Sequence, residues 1–424
     1  MGHIYLFIAL VLSACASLRG ASRTLGLMLG FLKINLPIPS WYTGRLWILR
    51  LGLYKLVREK EKADDWIWII DHTVQWGKEK CLAILGIRQS ELPKSDTILR
   101  LENVEPIALI PVTESNGKVV HQQLENATSK TGVPREIISD HGPDVKSGIE
   151  KFCAAHQETC FIYDIKHKTA AILKRELGAD KRWDEFAKLA AKSRKKVQQT
   201  ELAAFAPPNQ RTKARYMNVA ELVKWAMDKI FLLNQEKIDV KFEYDPARLK
   251  EKLGWLLSYE KQLGQWQDLI QIVEGAAEFV KFQGIYRDCE IDLMELPTFE
   301  AETKQAKNVR EDLLDFIAQE AKKAKGNERL LGSSEIIESV FGKYKQLEHD
   351  QSKSGFTGYL LSIAASVSTT TEDVIRKALE TVRTKKVHEW FEENMGRSVQ
   401  SIKAELNSIV KKAKQKRDQK CFDS

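Results

Sequence analysis

The feature that most narrows the possible folds is a change of hydrophobic period at residue 66. Trp66 to Asp71 reads WIWIID, an unbroken apolar run closed by a carboxylate, as in a buried strand. Similar runs recur at Cys81–Ile87, Pro106–Val112, Glu136–Asp140 and Cys160–Asp164. Gln75 to Lys80, with Gly77, offers a turn between the first two runs. Helical patterns separate the last three: Lys118–Lys130, with Val119, Leu124 and Ala127 on one face, and Lys146–His156. Short loops between the first three runs permit antiparallel hairpins, whereas the later strands need helical crossovers. The expectation is an α/β fold with one mixed sheet.

From Lys168 to about Lys325 the strand signal disappears and helical patterns take over, punctuated by Ala206-Pro-Pro-Asn209 and Glu295-Leu-Pro297. This stretch reads as a large helical insertion. From Ser333 more helices follow, one capped near Thr370 or Thr371 and one from Ser398 into the basic tail Lys411–Arg417.

Upstream of the sheet, Ile4–Ala14 is apolar and followed by Cys15, as in an export signal with a lipidated cysteine. It is shorter than the roughly 20 residues that span a bilayer, and only His3 stands where a basic leader is required. The preferred reading is the first of three short helices. Ser17 can cap the second, Leu36-Pro-Ile-Pro-Ser40 breaks the chain, and Ser40 can cap a third over Trp41–Leu53. Leu46, Ile48, Leu49 and Leu53 lean to one side of that third helix, while Arg45 and Arg50 project elsewhere. Such an arrangement looks like a helix-turn-helix DNA-binding domain over residues 1–57. Residues 58–65, rich in charge, read as a solvated linker.

The carboxylates at the strand ends, Asp71, Asp140 and Asp164, point to chemistry. Loops after strand C-termini are where such sheets place ligands. Magnesium is a hard ion held by carboxylate oxygens together with waters and substrate phosphates. Composition adds a weak pointer, since 66 Lys and Arg against 58 Asp and Glu give a net charge of +8, compatible with a polyanion. Six cysteines without a Cys-x-x-Cys pair imply a reducing compartment. Cys153, His156 and Cys160, with His141 or His167 as a fourth, have zinc-like spacing, but free cysteines more often serve as small buried hydrophobes. Trp66, Trp68, Trp225, Trp255 and Trp266 read as core. No phosphate loop or His-Glu-x-x-His occurs, which leaves ATPase and zinc-protease readings without support.

Asp71 on the first strand, Asp140 just after the fourth, and a glutamate on a later helix resemble a DDE transposase of the bacterial insertion-sequence type. Tyr163-Asp-Ile-Lys-His167 matches the D-x-x-H signature after the fifth strand of many such families. Ser334-Glu-Ile-Ile-Glu338, with Phe341 and Lys345, resembles the block around their catalytic glutamate. Glu338 and Lys345 are seven residues apart, about two helical turns, and so share a face. Glu335, one turn earlier, is the alternative glutamate. Ser334 and Leu331 stand where some of these families carry an arginine and a tyrosine, so no subfamily is assigned.

The resemblance implies a ribonuclease-H-like core over residues 66–171 and 328–424, interrupted by the helical insertion at 172–327. It implies two Mg2+ ions, with Mn2+ as a substitute, held by Asp71, Asp140 and Glu338. Asp164 and His167 would lie close by or touch phosphate, or simply be a strand-end cap and a satisfied loop histidine. Lys343 and Lys345 would contact DNA, as would Arg45 and Arg50 on the third helix as recognition helix, at guanine edges or phosphate. The partners would be double-stranded transposon ends and target DNA, bound by a homodimer without a membrane, in the cytoplasm at the nucleoid. A DNA-binding regulator with a decayed core, or a nuclease without strand transfer, are the competing readings.

Overall fold

The computed structural model describes residues 1–76, 79–210, 216, 219–235, 244–349, 359–395 and 405–410; Gly77, Ser398 and the tail Lys411–Arg417 lie outside them. The chain divides into two compact units. The first comprises Met1–Leu92, Leu99–Phe161 and Ser334–Ser424; the second comprises Pro93–Ile98 and Ile162–Ser333.

The first unit begins with three helices, α1 (Gly2–Leu12), α2 (Leu18–Phe31) and α3 (Trp41–Val57). Ser17 accepts the Gly20 N–H and Ser40 accepts the Thr43 N–H, so both expected serine caps form. Next come β1 (Trp66–Trp76), β2 (Glu79–Arg88), β3 (Glu105–Val112), α4 (Gly117–Thr131), β4 (Glu136–Ser139), α5 (Pro143–Ala155) and β5 (Cys160–Tyr163). The sheet order is β3-β2-β1-β4-β5. β1–β2 and β2–β3 pair antiparallel, and β1–β4 pair parallel, as loop length and helical crossover require. β1 does not end at Asp71. His72 and Thr73 continue the ladder opposite Leu82 and Cys81, so the aspartate sits within the strand.

Strand alternation gives the sheet two buried faces. Trp66, Trp68 and Ile70 face Val120, Leu124 and Ala127 of α4 and Val145, Ile149 and Phe152 of α5 in one core. Gly148 lets these helices meet: a Cβ there would lie 2.5 Å from Val120. Ile67 and Ile69 point to the other face and are also fully buried. There α13 (Glu335–His349), which follows the second unit in sequence, packs on β1, and none of its described side chains enters the Trp68 core.

α14 (Leu361–Ser366), α15 (Glu372–Thr381) and α16 (Thr384–Met395) enclose α3 together with α1 and α2. Thr371 caps α15 through the Val374 N–H. Gly52 permits the α3–α14 contact, since a Cβ there would lie 1.9 Å from the Leu361 carbonyl oxygen. The fully buried Lys55 donates to the carbonyls of Ala365, Val367 and Ser368 and to the Thr370 hydroxyl, at 3.3, 2.6, 2.9 and 2.6 Å. The three N-terminal helices are therefore built into the first unit rather than forming a free-standing module. Within 58–65, Glu59, Glu61, Lys62 and Asp64 are exposed, and the residues between them tie the segment to the first unit. Arg58 and Lys60 pair with Glu105, Asp65 pairs with Arg88, and the Ala63 N–H donates to the Thr131 carbonyl.

The second unit holds α6 (Ile165–Gly178), α7 (Lys181–Val197), α8 (Val219–Leu233), α9 (Pro246–Leu253), α10 (Glu260–Gln283), α11 (Cys289–Met294) and α12 (Lys304–Ala321). It is helical as the sequence indicates, with one isolated bridge between Ile285 and Leu330. Trp183, Phe186, Tyr259 and Trp266 form its aromatic core, with Trp183 and Trp266 edge-to-face at 5.0 Å. The indole N–H groups of Trp225, Trp255 and Trp266 donate to the Phe205 carbonyl, Ser193 and Asp180. Trp225 and Trp266 are buried, as expected of core residues, whereas Trp255 is half-buried. No described helix is long and apolar enough to cross a membrane.

Candidate carboxylate site

The parallel register between β1 and β4 fixes the site. Ile67 lies opposite Glu136, and the pairing runs to Ile70 opposite Ser139. One step further along this register come Asp71, still within β1, and Asp140, the first residue after β4, so the two aspartates stand side by side on neighbouring strands. Both are half-buried.

The loop after β4 is built around Asp140. The Gly142 N–H donates to its carbonyl at 2.9 Å and to its carboxylate Oδ1 at 3.3 Å, and Ser139 Oγ donates to its carbonyl at 3.0 Å. Gly142 fits because a Cβ would reach 3.3 Å from that same Oδ1. Pro143 then starts α5 with φ already helical, and Asp144 sits in its first turn, where a carboxylate is favoured by the exposed N–H groups. Asp71 accepts the His72 N–H through Oδ1 at 2.6 Å.

A polar group that sequence reasoning did not find stands beside this pair. His72 points to the face opposite Asp71, with Nδ1 3.6 Å from Asp144 Oδ2 and Nε2 3.4 Å from Ser115 Oγ. Lys80 on β2 places Nζ 3.1 Å from the same Asp144 oxygen. Burial pushes the His72 imidazole below its ordinary pKa, against the pull of Asp144 and Asp140. Burial alone would raise the Asp144 carboxyl. Hydrogen bonds from Ser115 and Lys80 and the nearby His72 and Lys80 outweigh it and hold the group at about 2. The available signal was adjacency: His72 follows Asp71, and Asp144 lies four residues after Asp140, in the first turn of α5.

α13 brings the remaining acids. Ile336, Ile337, Val340, Phe341, Tyr344 and Leu347 are buried and seat the helix, while Glu335, Glu338 and Lys343 are half-buried and Lys345 is exposed. Asp71 shares its sheet face with Ile67 and Ile69, the face on which this helix packs. Among the described residues no three His, Cys, Asp or Glu side chains are gathered closely enough to hold a metal ion.

Other expected residues take different places. Asp164 and His167 belong to the second unit. Asp164 caps α6, accepting the His167 N–H at 2.8 Å and lying 2.9 Å from His167 Nδ1, and it is 1 % exposed. Arg50 donates to the Leu379 carbonyl and, at 2.6 Å, to the Val382 carbonyl, closing the end of α15. Arg45 lies over the Tyr359 ring, 6.0 Å from its centroid, and burial lowers its pKa. Both arginines are thus engaged in the packing of α3. Among the zinc-spaced residues, His156 lies 3.0 Å from Glu125, Cys153 packs on the Trp68 core and Cys160 is buried.

No known protein family matches the chain, and no curated protein matches it. Among solved structures, the Drosophila P element transposase strand transfer complex superposes with a TM-score of 0.40 at 13% sequence identity, covering 90% of this chain and 92% of that one.

Proposed function

We propose that this chain is a DNA transposase whose sheet is a ribonuclease-H-like core, cutting element ends and joining them to a target. The observation that carries the reading is the β1–β4 register, which sets Asp71 within β1 beside Asp140 just after β4, with the Glu338 helix packed on β1. The D-x-x-H segment at Asp164 and the Glu338–Lys345 spacing support it from the sequence side.

The donor set suits a divalent cation. Magnesium is commonly held by one or two carboxylates with waters and substrate phosphates completing its shell, and Asp71 and Asp140 supply such oxygens. Glu338 on α13, with Glu335 one turn away, would be the third carboxylate, drawn to Asp71 and Asp140 only as the cation and DNA bind, since the three are not gathered without them. A bound Mg2+ supplies Lewis-acid activation of a phosphodiester and of water. The chain's own task is positioning. Gly142 and Ser139 fix the Asp140 loop, Asp144 with Lys80 and His72 anchors the start of α5, and Lys343 and Lys345 offer cations to the DNA backbone. Joining needs two DNA ends, and so two copies of the chain.

The test is Mg2+-dependent nicking of a duplex carrying the element's end. Asp71→Asn, Asp140→Asn and Glu338→Gln are each expected to abolish it, with circular dichroism unchanged and Mn2+ binding weakened in calorimetry. Nicking that persists in all three sinks the proposal. Transfer of the cleaved 3′ end to a second duplex separates a transposase from a nuclease, and DNA binding without nicking marks a regulator.

A further inference from the structure

The later turns of α7 carry a row of cations that the chemistry at the carboxylates leaves unused. From Phe186 to Val197 the helix holds Lys188, Lys192, Arg194, Lys195 and Lys196 and no Asp or Glu. Lys188, Lys192 and Lys195 succeed one another at spacings of four and three residues, so they share one face. Trp183, Phe186, Ala190, Ser193 and Val197 are buried on the opposite face. The three lysines are exposed, and among the described residues no carboxylate pairs with them.

Exposed helices elsewhere balance their cations internally. Lys146 pairs with Glu150, Arg376 with Asp373 and Lys385 with Glu389, at 3.8, 3.1 and 3.5 Å. On α7 the corresponding neighbours are like charges, which weaken a helix instead of supporting it. The helix dipole favours Arg194, Lys195 and Lys196 in the last turn, but Lys188 and Lys192 stand before that turn. Nor does the neighbouring α9 bring free acid. Glu251 is taken by Lys252 at 2.6 Å, and that ammonium, with help from Arg248 and Lys196, holds its carboxyl below the usual range. Glu201 pairs with Arg248 at 2.8 Å.

The row is mounted on a fixed support. Trp183 and Phe186 belong to the aromatic core, the Trp255 N–H donates to Ser193 Oγ at 2.9 Å, and Arg194 donates to the Pro207 carbonyl. We propose that this face is a duplex-DNA contact of the second unit, in which Lys188, Lys192 and Lys195 each neutralise a backbone phosphate without reading sequence. From Lys188 to Lys195 the helix rises about 10 Å, the axial length of about three phosphates along one strand. Both aromatic residues of α7 are buried, so no ring is offered to unpaired bases, and a duplex fits better than a single strand. The choice of DNA rests on the transposase reading. The contact gives the helical insertion a task separate from that of the carboxylates and of Lys343 and Lys345.

Binding of the full chain to duplexes of unrelated sequence is measured by fluorescence anisotropy in EDTA, from about 50 to 200 mM salt. Lys188→Gln with Lys192→Gln and Lys195→Gln should flatten the slope of log affinity against log salt by about 2.7, roughly 0.9 per phosphate, alike on every sequence. Circular dichroism should be unchanged, and the corresponding Arg triple should keep the parent slope. Lys304→Gln with Lys307→Gln and Lys322→Gln removes the same charge from α12 and its end, where Glu311, Asp312 and Asp315 stand among the cations. That triple should alter the slope by less than about 1. Equal effects of the two Gln triples, a slope that the α7 triple leaves at the parent value, or tighter binding of duplex RNA through the same lysines overturns the proposal. A flattened slope in a chain that never nicks DNA leaves this surface standing and removes the transposase reading. Nicking that depends on Asp71 and Asp140, with the slope unchanged by the α7 triple, does the reverse.

Discussion

Asp140 and Asp164 hold the same position relative to their strands, each the first residue after one, and yet they lead different lives. Asp164 is followed at once by α6, so its carboxylate turns to the helix N–H of His167 and is almost wholly buried. Asp140 is followed by a His141–Gly142 turn before α5 begins, and it remains half-buried beside the strand that carries Asp71. A strand-end carboxylate is absorbed into structure when a helix starts immediately. It stays at the edge of the sheet when a turn intervenes.

The sharpest way to break this contrast is to neutralise each aspartate. Asp140→Asn should lower DNA nicking by about 10³-fold or more, with the melting temperature nearly unchanged. A comparable activity loss in Asp164→Asn would erase the distinction. Next in size is Lys55→Met, which leaves the carbonyls of Val367 and Ser368 without their buried donor and should cost about 3 kcal/mol in urea unfolding. It shows that the same unit also holds charge for stability alone. Asp164→Ala should cost about 1 kcal/mol, the ordinary value of an N-cap, read by the same method. The smallest effect is in pH. Asp144 is held at about 2 when folded, below the roughly 3.9 of an unfolded aspartate. Its contribution is complete above that unfolded value and is lost as pH falls from about 4 toward 2. Lys80→Met should weaken that acid dependence in thermal melts taken across this window.

The sheet was legible because its strands are continuous apolar runs of strand length. Trp66–Ile70 and Glu136–Ile138 are buried on both faces, so they lack the alternation that would have confused them with surface strands. α3 was not legible in the same way. Its arginines suggest an exposed polar face, but Gly44 and Gly52 allow Phe7 and the Leu361 backbone to close on it, and Arg50 serves a helix end more than 300 residues away. The His72–Asp144–Lys80–Ser115 group was hidden for a related reason. Its members come from four different elements or loops, brought together by the β1–β2 and β2–β3 pairings as well as by the β1–β4 register. Asp71 and Asp140 could be named because each follows an apolar run directly, although only Asp140 proves to lie at a strand end, since β1 continues to Trp76.

The ammonium of Lys55 fastens to oxygens of Ala365 through Thr370, 310 to 315 residues further along the chain. During synthesis at about 5–20 residues per second, α3 therefore leaves the ribosome roughly 15–60 s before the segment that covers it. For that interval its aliphatic faces and the lysine itself must wait in solvent or under a chaperone. Expression at lower temperature, or with a holdase present, is the condition under which this first unit has the best opportunity to close.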